Sequence, residues 1–271
     1  MLLRGLGGAL VVAFALIIIV PLMIVLLASL KTSPQFIQDP LGLPDSFSLA
    51  NYAALFAKQP MWTYFGNSVF VTLATVAGEL LVAGMVAYGI IRTGRRTGGW
   101  MFGLFAAGLM VPTQVNMIPI YQLVHQLGWS NSLIGLSLVT IAMLLPLSVF
   151  MLGGFMRTLP GELFEAGAID GASEWRLLTR IALPLAAPYF AATACFLFVI
   201  VWNDLLFPML LLTGKDKLTL PLAMLQFRGE FVTDYPMLLT GVVVASIPII
   251  VVFVLLQRFF ISGALAGSMK G

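Results

Sequence analysis

Apolar residues run along this chain in long unbroken stretches rather than in stripes with a polar opposite face. Six stretches stand out, at 10–30, 68–91, 100–121, 132–156, 184–212 and 236–256. A helix rises about 1.5 Å per residue and a hydrocarbon core is about 30 Å thick, so each stretch is long enough to cross a bilayer. Four of them carry no formal charge, while 68–91 holds one acid, Glu79, and 184–212 holds one, Asp204. Barrel strands would alternate apolar and polar residues over about ten positions, which none of these stretches does. The pattern predicts an all-α membrane protein with six transmembrane helices in a single domain over 1–271. The first stretch exceeds the 7–15 residues of a secretory signal core and is followed at once by Lys31, so it reads as an uncleaved span.

Composition narrows the function. Hydrophobic residues make up 60% of the 271 and charged residues 9%, too few charges to cover a water-soluble surface, so a soluble enzyme is excluded. One cysteine, Cys195, and one histidine, His125, permit neither an internal disulfide nor a cluster of soft metal ligands. The net charge of +3 comes from cations scattered between apolar stretches, which is no nucleic-acid footprint.

Those cations set the orientation. The N-terminus, the gaps 92–99 and 157–183, and the tail hold nine: Arg4, Arg92, Arg95, Arg96, Arg157, Arg176, Arg180, Arg258 and Lys270. The opposite gaps hold five: Lys31, Lys58, Lys215, Lys217 and Arg228. The positive-inside rule therefore places both termini and the 157–183 gap in the cytoplasm. Trp62, Trp100 and Trp129 lie near stretch ends, where an amphipathic ring is best accommodated.

The 157–183 gap is unlike the others. It holds four of the eleven acids within a helix-like pattern, RTLPGELFEAGAIDGASEWRLLTRIAL. Pro160 suits a first helical turn and Glu162 the positive end of a helix, with Leu163, Phe164, Ala166, Ala168 and Ile169 as an apolar stripe. Asp170 and Gly171 interrupt it, because glycine readily takes the left-handed conformation that ends a helix. Ser173 can cap a second helix with Glu174 in its first turn and Trp175, Leu177, Leu178 and Ile181 as apolar residues. Two short helices meeting at a glycine either lie on lipid as an amphipathic hairpin or dock a cytoplasmic partner.

The spacing Glu165-Ala166-Gly167, three residues, Gly171, nine residues, Ile181-x-Leu183-Pro184 resembles the EAA loop of permease subunits of bacterial ABC importers. Gly167 in place of the second alanine is the one departure. Asp170-Gly171-Ala172 and Trp202-Asn203-Asp204 are similar to the carbohydrate, MalG-like branch, as is the tail with Gln257, Arg258, Gly263, Gly267, Lys270 and Gly271. The resemblance implies a coupling loop at 157–184, between the fourth and fifth helices, in which Glu165, Ala166, Gly167, Asp170, Gly171, Ile181, Leu183 and Pro184 meet an ATPase. It implies that the tail at 257–271 enters the ATPase interface. It also implies four kinds of neighbour: a second homologous permease, a dimer of ABC ATPases, an extracytoplasmic solute-binding protein and the lipid of the bacterial inner membrane. The chain has no phosphate-binding loop of its own, so the expectation is a non-catalytic subunit that binds no cofactor, with ATP and Mg used by the partner.

The polar residues inside the stretches are candidates for a solute path. A charged residue at a helix centre costs about 2.5–3.5 kcal/mol on insertion scales, so Glu79 and Asp204 should face protein or water. Trp202, Asn203 and Asp204 offer an aromatic face beside polar groups, which suits a sugar, and the same signature could instead fix helix packing. Gln114 and Asn116 lie between Pro112 and Pro119, where freed carbonyls and amides could line a cavity. Asn67 reads as a helix cap. A secondary transporter using Glu79 and Asp204 for a coupling ion is the competing class, and it leaves the hairpin unexplained. Within the importer reading a neutral di- or oligosaccharide fits the lack of intramembrane cations, with a glycerol-phosphate solute as the alternative.

Overall fold

The computed structural model describes residues 2–225 and 234–268, with side chains described outside 2–6, 9 and 256–268. All regular elements among them are helices. In chain order these are α1 (Leu2–Ala28), α2 (Ser33–Gln38), α3 (Ala50–Lys58), α4 (Met61–Arg92), α5 (Arg95–Gly108), α6 (Met117–Gln126), α7 (Leu133–Met156), α8 (Gly161–Ile169), α9 (Glu174–Leu177), α10 (Leu183–Trp202), α11 (Leu206–Leu211), α12 (Leu220–Met224) and α13 (Tyr235–Ser268). Among the described residues, five helical runs are long and apolar enough to cross a membrane, and a sixth appears if Arg95–Gly108 and Thr113–Gln126 count as one broken span.

The spans depart from the expected boundaries where proline or a polar break intervenes. The stretch 100–121 is not one straight helix, because its two halves meet at an angle of 80°. Pro112 has no N–H for the ladder and disfavours helical backbone in the residue before it, so α5 ends and a 3₁₀ turn, Thr113–Asn116, precedes α6. The stretch 184–212 also divides: the helix stops at Trp202 and restarts at Leu206. At its other end it begins earlier than expected, since α9 and α10 are joined through a π turn, Leu178–Ala182, into one run from Glu174 to Trp202. The Leu183 amide bonds back five residues to the Leu178 carbonyl, so the ladder has already changed register where Pro184 removes a donor. The second span starts at Met61 rather than at 68.

The chain groups into two compact units, Met1–Phe65 with Leu220–Pro248, and Gly66–Thr219 with Ile249–Gly271. In the first, side chains take up carbonyls just beyond the end of α1. Asn51 donates to the Ser29 and Lys31 carbonyls at 2.7 and 2.8 Å, and the Thr240 hydroxyl donates to Ser29 O at 3.1 Å. Lys31 is 1% exposed, not the free loop cation its position suggests, and its ammonium donates to the Asp39 carbonyl at 2.6 Å. The second unit has a core of Ala83, Ala87, Tyr88 and Ile90 from α4, Val149, Leu152 and Met156 from α7, and Phe164, Leu177, Leu178, Ala182 and Ala186 from the segment that follows. The 157–184 hairpin is thus built on the same core as the spans. Within Leu10–Ala28 only Ala28, at the end, is buried by the chain and most of the other residues are exposed, which suits a helix that meets lipid or another subunit.

Candidate functional site

The hairpin turns at Gly171. With Ile169 as the last helical residue and Asp170 as the cap, the Gly171 amide donates to Ala168 O at 3.0 Å and the Ala172 amide to Gly167 O at 2.9 Å. That pair of bonds is a Schellman ending, and its left-handed residue is Gly171 at φ +76°. Glycine is there because a side chain at this φ would be strained. Ser173 occupies the cap position of α9 as expected, although its hydroxyl makes no capping bond.

Gly167 is there for a different reason. A Cβ on Gly167 would stand 2.6 Å from Leu177 Cδ2 and 3.2 Å from Ile181 Cδ1. The departure from the Glu-Ala-Ala pattern is therefore matched by the neighbours: a methyl here would have to displace the tips of the Leu177 and Ile181 side chains.

The apolar stripe expected on α8 does not face the core. Phe164 alone is buried, while Leu163, Ala166, Ala168 and Ile169 are exposed, Ile169 at 86%. In the second helix Leu177 and Leu178 are buried, Ile181 is half-buried, and Trp175 is exposed at 64%. Glu165, Ala166, Asp170 and Pro184 are exposed, and Leu183 is half-buried. A nine-residue helix needs one anchor to dock, and the rest of its apolar surface is left uncovered in this chain.

The anchor is a cluster at the end of α4 that sequence reasoning did not single out. Arg92 donates from Nε to Glu174 Oε2 at 3.0 Å and from Nη2 to Oε1 at 2.6 Å. The Tyr88 hydroxyl donates to the same carboxylate. Phe164 meets Tyr88 edge to face at 6.1 Å between ring centroids, with the Arg92 guanidinium 5.8 Å from the Phe164 centroid. A forked arginine–carboxylate pair is directional as well as attractive, so α4, α8 and α9 are fixed in mutual angle. In the sequence Arg92 reads only as a cytoplasmic charge and Glu174 only as a first-turn acid. Their complementarity across 82 residues leaves no local signal.

The expected solute-path residues are not gathered in one place. Gln114 and Asp204 line a common cavity of about 140 Å³ with Thr113, Thr140 and Phe207. Trp202 is 2% exposed and stacked on Phe198 at 5.5 Å and 10°, so its ring is packed in protein. Asn203 closes α10, donating to the Val199 carbonyl at 2.8 Å, and Asp204 opens the next turn by accepting from the Leu206 amide at 3.1 Å. The local geometry of the tripeptide is that of a helix end and a helix start. Asn116 lies in the 3₁₀ turn and does not line that cavity. Glu79 is 0% exposed, and neither of its oxygens has a hydrogen-bond partner among the described residues.

Two asparagines pin one loop. Asn67 lies inside α4 rather than capping it, and its amide donates to the Asp216 and Leu218 carbonyls, both at 2.9 Å. Asn131, at φ +52°, accepts from the Thr213 and Gly214 amides at 3.2 and 2.9 Å. Of the expected tail residues, Gln257, Arg258, Gly263 and Gly267 have side chains outside the described residues, and Lys270 and Gly271 lie wholly outside them.

Comparison with known proteins adds to this geometry. Residues 80–264 match the family model described as "Binding-protein-dependent transport system inner membrane component". The chain is 33% identical to the diacetylchitobiose uptake system permease protein NgcG of Streptomyces coelicolor, over 98% of this chain and 89% of that protein. It is 32% identical to the arabinooligosaccharides transport system permease protein AraQ of Halalkalibacterium halodurans, over 95% and 93%. Its fold is similar to a chain of a crystallised bacterial ABC transporter involved in the import of the acidic polysaccharide alginate. That match has a TM-score of 0.81 at 19% identity and covers 96% of each chain.

Proposed function

The chain belongs to the family of binding-protein-dependent transport system inner membrane components, and from that membership we propose that it is the sugar-conducting permease subunit of an ABC importer. The observation that carries the reading is the hairpin: a rigid α8–Gly171–α9 unit, locked to α4 by Glu174 and continuous with α10. A push on α8 is delivered through packed side chains to a span. Glu165, Ala166 and Asp170 are the exposed positions that meet the ATPase, and Gly167 and Gly171 set how α8 lies and where it ends.

Concentrating a solute requires free energy, and the sequence supplies no phosphate-binding loop. The chain is a non-catalytic subunit, and ATP and Mg act in a dimer of partner ATPases on its cytoplasmic side, where both of its own termini lie. A second permease completes the path, and an extracytoplasmic binding protein delivers the solute. A neutral di- or oligosaccharide is supported by two features. The relatives named above serve diacetylchitobiose and arabinooligosaccharides, and no Lys or Arg lies inside any of the six apolar stretches. The cavity that joins Gln114 to Asp204 offers polar groups to hydroxyls. The buried Trp202 ring favours a packing role for that residue.

The test is purification and reconstitution. The full chain should copurify with an ATPase and a second permease, and vesicles should take up sugar only with ATP and the binding protein present. Gly171→Val, a β-branched residue at positive φ, and Glu165→Lys should each abolish uptake while the chain remains inserted. Unchanged uptake and normal ATPase association in both variants would refute the coupling role. Ion-driven uptake by the chain alone would replace the importer with a secondary transporter using Glu79 and Asp204.

A further inference from the structure

Beside the hairpin, the ends of α4 and α7 and the starts of α5 and α8 enclose a cavity of about 410 Å³. Three arginines line it, Arg92 at the end of α4, Arg95 at the start of α5 and Arg157 just after α7, and Glu165 is the single acid in the lining. The ion pairs among the described residues are Arg92–Glu174 and Lys217–Asp216, so Arg95 and Arg157 have no acid partner. Arg157 lies over the Phe102 ring at 4.7 Å, which orients its guanidinium without neutralising it. With Glu165 and Glu174 set against the three arginines, one positive charge is left in excess. Gly94 lines the same cavity and caps α5 without a side-chain bond, so the first-turn amides of α5 have no side-chain acceptor.

We propose that this cavity holds the phosphodiester of an anionic phospholipid of the inner leaflet. Three observations favour a lipid phosphate over one from solution. The cavity opens where the apolar runs of α4 and α7 end, which is the level of the headgroups. Trp100, on α5 next to the lining residue Gly99, is 73% exposed, and an exposed tryptophan is most stable at that same level. The excess of one positive charge matches the single negative charge of a diester, and basic pockets between spans on the cytoplasmic side are the kind that take acidic headgroups. A headgroup here would touch both α8 and the loop that joins α4 to α5, so lipid composition would bear on how firmly the hairpin is held. The placement at the inner leaflet rests on the orientation proposed above. The binding itself does not, since both leaflets of a reconstituted bilayer carry the same lipid.

The experiment is native mass spectrometry of the full chain with its copurifying partners, taken from bilayers of phosphatidylcholine containing phosphatidylglycerol. The wild type should retain phosphatidylglycerol, and Arg95→Gln/Arg157→Gln should retain about thirtyfold less, the loss expected for two cations near a charged bilayer surface. Arg92 is left in place because it holds Glu174. Arg96→Gln, a neighbouring arginine outside the lining, should retain as much as the wild type. Equal retention by the wild type and the double variant would overturn the proposal, as would an equal loss in Arg96→Gln. Displacement of the lipid by excess inorganic phosphate would overturn the lipid assignment. Uptake and ATPase association, measured alongside, report separately on the importer reading.

Discussion

Glu174 and Glu79 are the same residue type in the same unit of an apolar chain, and they are treated in opposite ways. Glu174 is largely exposed, yet it accepts three hydrogen bonds from Arg92 and Tyr88. Glu79 is fully enclosed between spans, and among the described residues no cation pairs with it. Ser148 of α7 is buried as well, and its hydroxyl is given to the Leu144 carbonyl at 3.3 Å. A partnered acid at the water boundary keeps its charge and gains direction from the fork. An enclosed acid without a cation gains no such direction, and an unpaired charge in low dielectric is costly. The hairpin acid is thus an electrostatic joint, whereas the interior acid is paired with no cation among the described residues.

The sharpest way to break that contrast is to force a charge onto position 79. Glu79→Lys leaves an uncompensated ammonium between α4 and α7, where a lone buried charge costs about 3–5 kcal/mol. The expected outcome is loss of the folded chain from the membrane fraction. Glu79→Gln keeps the shape and removes the ability to ionise. If Glu79 is neutral in the native protein, this variant should insert and transport within about twofold of wild type, a free-energy change well under 1 kcal/mol. Loss of transport in Glu79→Gln at normal expression would show that the charge is used.

A smaller effect is expected at the joint. Arg92→Gln and Glu174→Gln each remove the fork, and a double-mutant cycle isolates their coupling. The pair is partly exposed, at 29% and 61% of its side chains, so solvent screening limits its coupling to about 1 kcal/mol in thermal stability of the purified protein. Transport should fall more than stability does, because the fork sets the angle of the hairpin. Equal, small losses in both readouts would make the pair a surface ion pair without a role in coupling.

The difference between the two acids also explains what was legible in the sequence. Unbroken apolar runs gave the membrane class and the approximate spans, since length and hydropathy are local properties. The turn at Gly171 was legible because a left-handed helix ending depends on one residue and its immediate neighbours. The bend after Gly108 was hidden, although Pro112 marks it, because composition across 100–121 is uniformly apolar. The Arg92–Glu174 fork and the Asn67 and Asn131 bonds to the 213–218 loop pair residues 82 or more positions apart. No periodicity encodes such pairs. The apolar residues of α8 misled for a related reason: the pattern announces a face without saying whether this chain or another covers it.

The finest test concerns Gly167, where two effects of similar size oppose each other. Alanine is favoured over glycine inside a helix by about 1 kcal/mol, and α8 spans only nine residues, so that gain matters to its stability. Against it, the added methyl would meet Leu177 Cδ2 at 2.6 Å. That atom is the end of a flexible side chain, but Leu177 is 1% exposed and belongs to the core on which the hairpin rests. Overpacking of that kind costs about 1–3 kcal/mol, so Gly167→Ala should be neutral to slightly destabilising despite restoring the commoner motif. Pairing it with Leu177→Val relieves the contact and should recover the helix gain. If Gly167→Ala alone raises thermal stability by the full propensity difference, α8 rests less tightly on α9 than the geometry requires, and the hairpin is a looser joint than the Glu174 fork implies.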